Sequence, residues 1–231
     1  MSAPPTAPST GQPLVARRMS AGEQLRAEKK PRRLIQLLIG LAGYGTALAL
    51  LVGSGLGASS WNVLAEGIAH RSGLSFGMAT NLIALVVLVF WIPLRELPGL
   101  GTVLNVVLVG AAADVTAHLI PAPATLVEQL THYSLGLVMF AFFDALYLGA
   151  RFGSGPRDGL MTGAIRVSGQ PLWKVRTGIE VLVVAIGWVL GGTVGAGTLV
   201  LALAAGPLVQ AFLRHTTVPL GIDNPAASTA H

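Results

Sequence analysis

Gly153-Ser154-Gly155-Pro156-Arg157-Asp158-Gly159-Leu160-Met161 interrupts a long apolar run with three glycines, a proline and two adjacent opposite charges. Glycine and proline punctuate the backbone here. Pro156 suits the first turn of a helix, where its missing N–H is not needed, and a short helix is expected over 160–167. A helix that starts beside membrane-embedded backbone presents unpaired N–H groups, suited to an anion or a polar group. Ninety-six residues earlier stands the same kind of break, Gly55-Leu56-Gly57-Ala58-Ser59-Ser60-Trp61-Asn62-Val63-Leu64.

The two breaks belong to a longer match. Sliding residues 34–118 onto 130–214 without gaps superposes eight glycine pairs: 40/136, 53/149, 57/153, 67/163, 73/169, 99/195, 101/197 and 110/206. The windows hold twelve and fourteen glycines over 85 positions, so chance would pair about two. Leu64/Leu160, Ser72/Ser168 and Thr102/Thr198 fall into the same register. A match at fixed spacing is how an internal repeat shows itself.

Composition says where such a repeat resides. Hydrophobic residues make up 52% of the chain and charged ones 11%, with mean hydropathy +0.67; soluble domains carry about 25% charged residues. Apolar runs at 34–53, 76–94, 101–120, 130–149, 175–190 and 198–213 read as six transmembrane helices, the fifth carrying Arg176 and Glu180. The absence of cysteine excludes disulfides, thiolate metal sites and cysteine nucleophiles. The net charge of +5 is a topology signal before it is a ligand signal. Seven of the fifteen Lys and Arg residues precede the first run, and Arg71 alone falls on the opposite side. Both termini are therefore expected in the cytoplasm. Each repeat holds three spans, and an odd number inverts the second copy, so the halves should relate by a two-fold axis in the membrane plane. The fold expected is an all-α membrane protein of two inverted three-helix repeats, each with a glycine-rich break and a short helix after its first span. The expected organisation is a disordered basic tail at 1–33, repeats at 34–120 and 121–214, and a disordered tail at 215–231.

The chain resembles the YczE/YitT-type bacterial integral membrane proteins, and specifically the YczE branch. The matching stretches include Gly155 to Met161, Val175-Arg176-Thr177-Gly178-Ile179-Glu180 and Gly187-Trp188-Val189-Leu190-Gly191-Gly192. Gly206-Pro207-Leu208-Val209-Gln210, Ser72-Gly73-Leu74-Ser75-Phe76-Gly77 and Pro98-Gly99-Leu100-Gly101-Thr102 fit as well. The resemblance covers about residues 33–214 and implies a multi-pass protein of the bacterial cytoplasmic membrane. The family tends to show Pro-Trp-Asp where this chain has Ser60-Trp61-Asn62, so the first break lacks a carboxylate and a proline.

Candidate site residues follow from position and chemistry. Arg157 and Asp158 point about 100° apart on a helix: Arg157 either holds an anionic head or anchors the cytoplasmic side, and Asp158 either receives ligand or caps the short helix. Ser59, Trp61, Asn62 and Gly155 occupy the breaks, where they contact a ligand or satisfy backbone. Arg176 and Glu180 stand at i, i+4 and read first as an internal ion pair, with a proton or substrate relay as the alternative. Asp144 lies deep in the fourth span; ionised and unpartnered it would be costly in lipid, so it faces the bundle or carries a proton. It is a candidate for proton coupling, or else makes a structural hydrogen bond. Asp114, His118 and Glu128 read as solvated near the outer interface, and Trp91, Trp173, Trp188 and Tyr133 as an interfacial belt.

No His-Glu-x-x-His, Walker loop or Gly-x-Ser-x-Gly elbow occurs, and the histidines have no metal spacing. The expectation is thus not an enzyme, with no cofactor and no metal. The expected function is a small-molecule or ion transporter with its site between the two breaks, its partners the lipid bilayer and that ligand, without nucleic acid; a homodimer stays open. A non-transporting membrane accessory that organises a partner is the alternative, its glycines merely permitting close helix packing.

Overall fold

The structure, a computed structural model, describes residues 29–220; of the tails expected at 1–33 and 215–231, residues 1–28 and 221–231 lie outside the described residues. Its regular structure is entirely helical: α1 (Lys30–Gly53), α2 (Ser60–Ser72), α3 (Phe76–Leu94), α4 (Leu100–Leu119), α5 (Leu126–Gly149), α6 (Pro156–Ser168), α7 (Leu172–Val189) and α8 (Ala196–Thr216). The starts of the first four helices, shifted by 96 residues, fall on the starts of the last four. Positive φ angles recur at the same interval: 55/151 at +71° and +59°, 57/153 at +108° and +105°, 73/169 at +72° and +64°, 95/191 at +51° and +99°.

Local chemistry explains where the helices begin. Pro31 and Pro156 occupy first-turn positions, where no N–H is required. The Thr125 Oγ accepts from the Glu128 N–H at 3.2 Å while Glu128 Oε2 accepts from the Thr125 N–H at 3.3 Å, a reciprocal cap for α5. At the starts of α4 and α8 the Gly99 and Gly195 N–H groups donate to Thr102 and Thr198 Oγ1, at 3.2 and 3.3 Å.

Helices α1, α3, α4, α5 and α8 are long and apolar enough to cross a membrane. Their outward faces, such as Val89 and Phe90 on α3 and Leu203 on α8, are exposed and apolar, as hydrocarbon requires. Helix α7, expected as the fifth span, has 18 residues but carries Lys174, Arg176 and Glu180 in its first half, and is not among the five.

Helices α1 and α5 form the central pair. A Cβ on Gly40 would stand 2.7 Å from the Tyr147 backbone N, and one on Gly136 3.1 Å from Leu51. Numbers rise on one helix as they fall on the other, so the pair is antiparallel, and its small residues let the backbones meet. Helix α4 packs on α1, α8 on α5, α2 on α7 and α3 on α6. One correspondence fails: α3 packs closely on α4, whereas α7 and α8 scarcely touch. In the first half Gly77 lies against the Gly110 carbonyl, leaving no room for a Cβ. Ninety-six residues later stands Trp173, exposed, whose indole cannot make that approach.

Several residues sit elsewhere than the sequence reading placed them. Helix α1 begins at Lys30 rather than 34, and Arg33 is no tail residue but fully buried. Its Nε and Nη2 donate to the Ala150 and Arg151 carbonyls, both at 2.9 Å, and its guanidinium lies 4.2 Å from the Phe152 ring centre. The last carbonyls of a helix lack intrahelical partners, and Arg33 supplies them to α5. At the other end α8 runs to Thr216, and Val218 beyond it is buried, its N–H donating to the Gly149 carbonyl at 3.0 Å. Trp91 and Tyr133 leave the expected interfacial belt for the interior. The Trp91 Nε1–H donates to the Pro156 carbonyl at 3.0 Å, its ring filling space that a Cβ on Gly159 would occupy. The Tyr133 hydroxyl donates to the Gly197 carbonyl. Trp173 and Trp188 are exposed. Asp114, expected to be solvated, instead caps α3: it accepts from Ser75 Oγ at 2.5 Å and from the Gly77 N–H at 2.7 Å.

Candidate functional site

The two breaks, residues 54–59 and 150–155, each turn the chain back into the protein so that α2 and α6 begin at its centre. Gly57 and Gly153, at φ +108° and +105°, hold a conformation that a side chain rarely adopts. Each break is held by the opposite half. The Gly101 N–H donates to the Phe152 carbonyl and the Gly197 N–H to the Leu56 carbonyl, both at 2.8 Å. Residues 101 and 197 are 96 apart, as are 56 and 152, so one contact is the exchanged copy of the other. Thr102 Oγ1 adds a hydrogen bond to the Ser154 carbonyl at 2.7 Å.

Between the breaks lies a cavity of about 360 Å³. It brings together Ser59, Trp61, Asp144, Gly155, Arg157, Asp158, Arg176 and Glu180, eight of the nine residues that the sequence singled out. Asn62, the ninth, does not line it; it is fully buried behind the wall with both amide atoms unpaired. The short helix is longer than expected, Pro156–Ser168 rather than 160–167, and this places Arg157 and Asp158 in its first turn, facing the cavity. The guanidinium of Arg157 lies 5.4 Å from the centre of the Trp61 ring, so repeat-equivalent residues of the two breaks meet face to face. Arg176 Nε donates to Glu180 Oε1 at 3.1 Å, the ion pair that the i, i+4 spacing suggested.

Charge is divided unequally between the halves. The five charged lining residues, Asp144, Arg157, Asp158, Arg176 and Glu180, all come from the second half. Their counterparts 96 residues earlier are Leu48, Trp61, Asn62, Thr80 and Ala84. The first half contributes neutral polar atoms instead: Ser59 Oγ, Trp61 Nε1 and Thr80 Oγ1 are buried at the wall without a hydrogen-bond partner. Buried polar groups left unpaired are costly, and they concentrate where a ligand or water completes them.

The sequence reading missed Tyr44, Thr80, Asn81, Asn105 and Phe140 in the lining. Asn81 and Asn105 carried a usable signal, an amide inside an apolar span; Asn81 Oδ1 accepts from the Gly110 N–H at 3.1 Å. Tyr44 packs between Phe140 and Tyr147, tilted against the first and edge-on to the second, with ring centres 5.1 and 5.8 Å away. Tyr147 also lines the cavity, its hydroxyl close to Gly155. A Cβ on Gly155 would stand 3.0 Å from that hydroxyl, so this glycine makes room for the tyrosine. Among the described residues no three His, Cys, Asp or Glu side chains cluster as metal ligands would.

These features define an integral, multi-pass helical membrane protein with a polar cavity at its centre. Residues 31–214 match the model of a family of unknown function, DUF6198, and the chain belongs to that family. An uncharacterized protein of Haemophilus influenzae is 37% identical over 177 residues, covering 77% of this chain and 81% of its own. The uncharacterized membrane protein YczE of Bacillus subtilis is 29% identical over 171 residues, 74% of this chain and 79% of its own. The uncharacterized protein YyaS of the same organism is 26% identical over 179 residues, 76% and 89% of the two chains. The resemblance to YczE-type proteins read from the motifs therefore holds. No solved structure matches the chain.

Proposed function

We propose that the protein is a transporter of a small molecule or ion, with its site in the cavity between the breaks. The observation that carries this reading is the exchanged pair of hydrogen bonds, Gly101 to Phe152 and Gly197 to Leu56, which ties each half to the break of the other around one polar cavity. The 96-residue spacing of helix starts and the antiparallel α1–α5 pair support two copies related by an axis in the membrane plane. In that arrangement α7 is the fifth of six spans, both termini are cytoplasmic, and rocking of the halves exposes the cavity to each side in turn. The cavity's contents favour transport over enzymatic chemistry, since its charged groups surround a void without an activated nucleophile. Asp144 is the proposed proton-coupling carboxylate.

Flux in proteoliposomes tests this. Arg157→Ala and Asp144→Asn should each lower uptake at least about tenfold while the protein inserts normally, the scale expected for losing one buried charged contact. Asp144→Asn should also abolish the dependence of flux on an imposed pH gradient. An accessory protein would show no flux in any variant.

A further inference from the structure

We infer that the cavity selects a small zwitterion, an amino-acid-like molecule whose carboxylate meets Arg157 and whose ammonium meets Asp144 and Asp158; this rests on reading the cavity as a substrate site. Arg176 and Glu180 neutralise one another at 3.1 Å, which leaves one guanidinium and two carboxyls in the lining. The Arg157 side chain touches the face of Trp61, and among the described residues no acceptor takes any of its five N–H donors. An unfilled guanidinium fork in a membrane interior is suited to a carboxylate, which it grips bidentately.

The surroundings of that fork extend the same end. Trp61 Nε1, which can only donate, lies at the wall 93% buried and unpartnered, together with the unpaired hydroxyl of Thr80. Helix α2 begins beside them at Ser60, so its dipole and free N–H groups favour negative charge. The same lining holds the carboxyls of Asp144 and Asp158. A carboxylate presents two acceptor oxygens, the chemistry that an ammonium requires. Asp158 is accessible, and it faces the cavity. Tyr44 and Phe140, with ring centres 5.1 Å apart, also line the cavity and offer aromatic surface that suits a cation.

Three simpler ligands fit worse. An anion alone fills Arg157 and leaves two carboxyls unmet; a cation alone does the reverse; a neutral molecule satisfies neither. A site built around a polar group rejects an analogue that lacks it far more strongly than one missing a methylene.

The test is calorimetric binding to the purified full-length chain, using three probes on one skeleton: phenylalanine, phenethylamine without the carboxylate, and hydrocinnamate without the ammonium. Phenylalanine should bind at least about tenfold more tightly than either analogue. Arg157→Gln should erase its advantage over phenethylamine, and Asp158→Asn its advantage over hydrocinnamate. Phenethylamine or hydrocinnamate binding as well as phenylalanine would overturn the inference, as would binding of none of the three at millimolar concentration. The wild-type ranking decides the matter even where a variant does not fold. Binding in this order without flux in proteoliposomes would remove transport and leave the zwitterion site; flux of the probes without this order would do the opposite.

Discussion

Arg33 shows how much one side chain can carry. Its buried guanidinium satisfies the Ala150 and Arg151 carbonyls and lies over Phe152, tying the first helix to the second break. Its neighbour Arg32 is exposed. Arg33→Ala should therefore cost about 2–4 kcal/mol, the scale of two buried carbonyls losing their donors, whereas Arg32→Ala should leave stability unchanged. Thermal unfolding of the purified protein in detergent checks this; equal small effects would make Arg33 one more topology anchor. A basic residue at the edge of an apolar run looks the same in either role, which is why the sequence suggested the anchor. The charged cavity residues were legible for the opposite reason. Asp144, Arg176 and Glu180 stand inside apolar runs, where a charge needs a polar environment whatever the fold.

At the scale of helices, the halves match in length and differ in packing. Gly110 and Gly206 occupy equivalent positions on α4 and α8. A Cβ on Gly110 would run into Asn81 and the Gly77 carbonyl, while one on Gly206 meets nothing within 4 Å. Gly110→Ala should thus destabilise by about 1–3 kcal/mol, and Gly206→Ala should be neutral or slightly stabilising. Unfolding midpoints of the two variants, compared with wild type, check this. Glycine pairing in the sequence could not reveal this difference, since it depends on packing: Gly77 lies against Gly110, whereas its counterpart Trp173 is exposed and nothing packs against Gly206. The same limit hid Tyr44 and Phe140. A residue in an apolar span faces lipid, a neighbouring helix or a cavity, and only the packing tells these apart.

At the scale of the whole molecule, function depends on how the two copies lie in the bilayer. Equivalent halves pointing the same way would present both breaks to one side; opposed halves place the cavity where each side can reach it in turn. The chain contains no cysteine, so single cysteines report on this without background. Ser72 and Ser168 are equivalent and exposed, at the ends of α2 and α6. In intact cells, Ser72→Cys should react with a maleimide that cannot cross lipid, whereas Ser168→Cys should react only after the membrane is opened. Labelling of both from the same face would contradict the inverted arrangement and the transport cycle built on it.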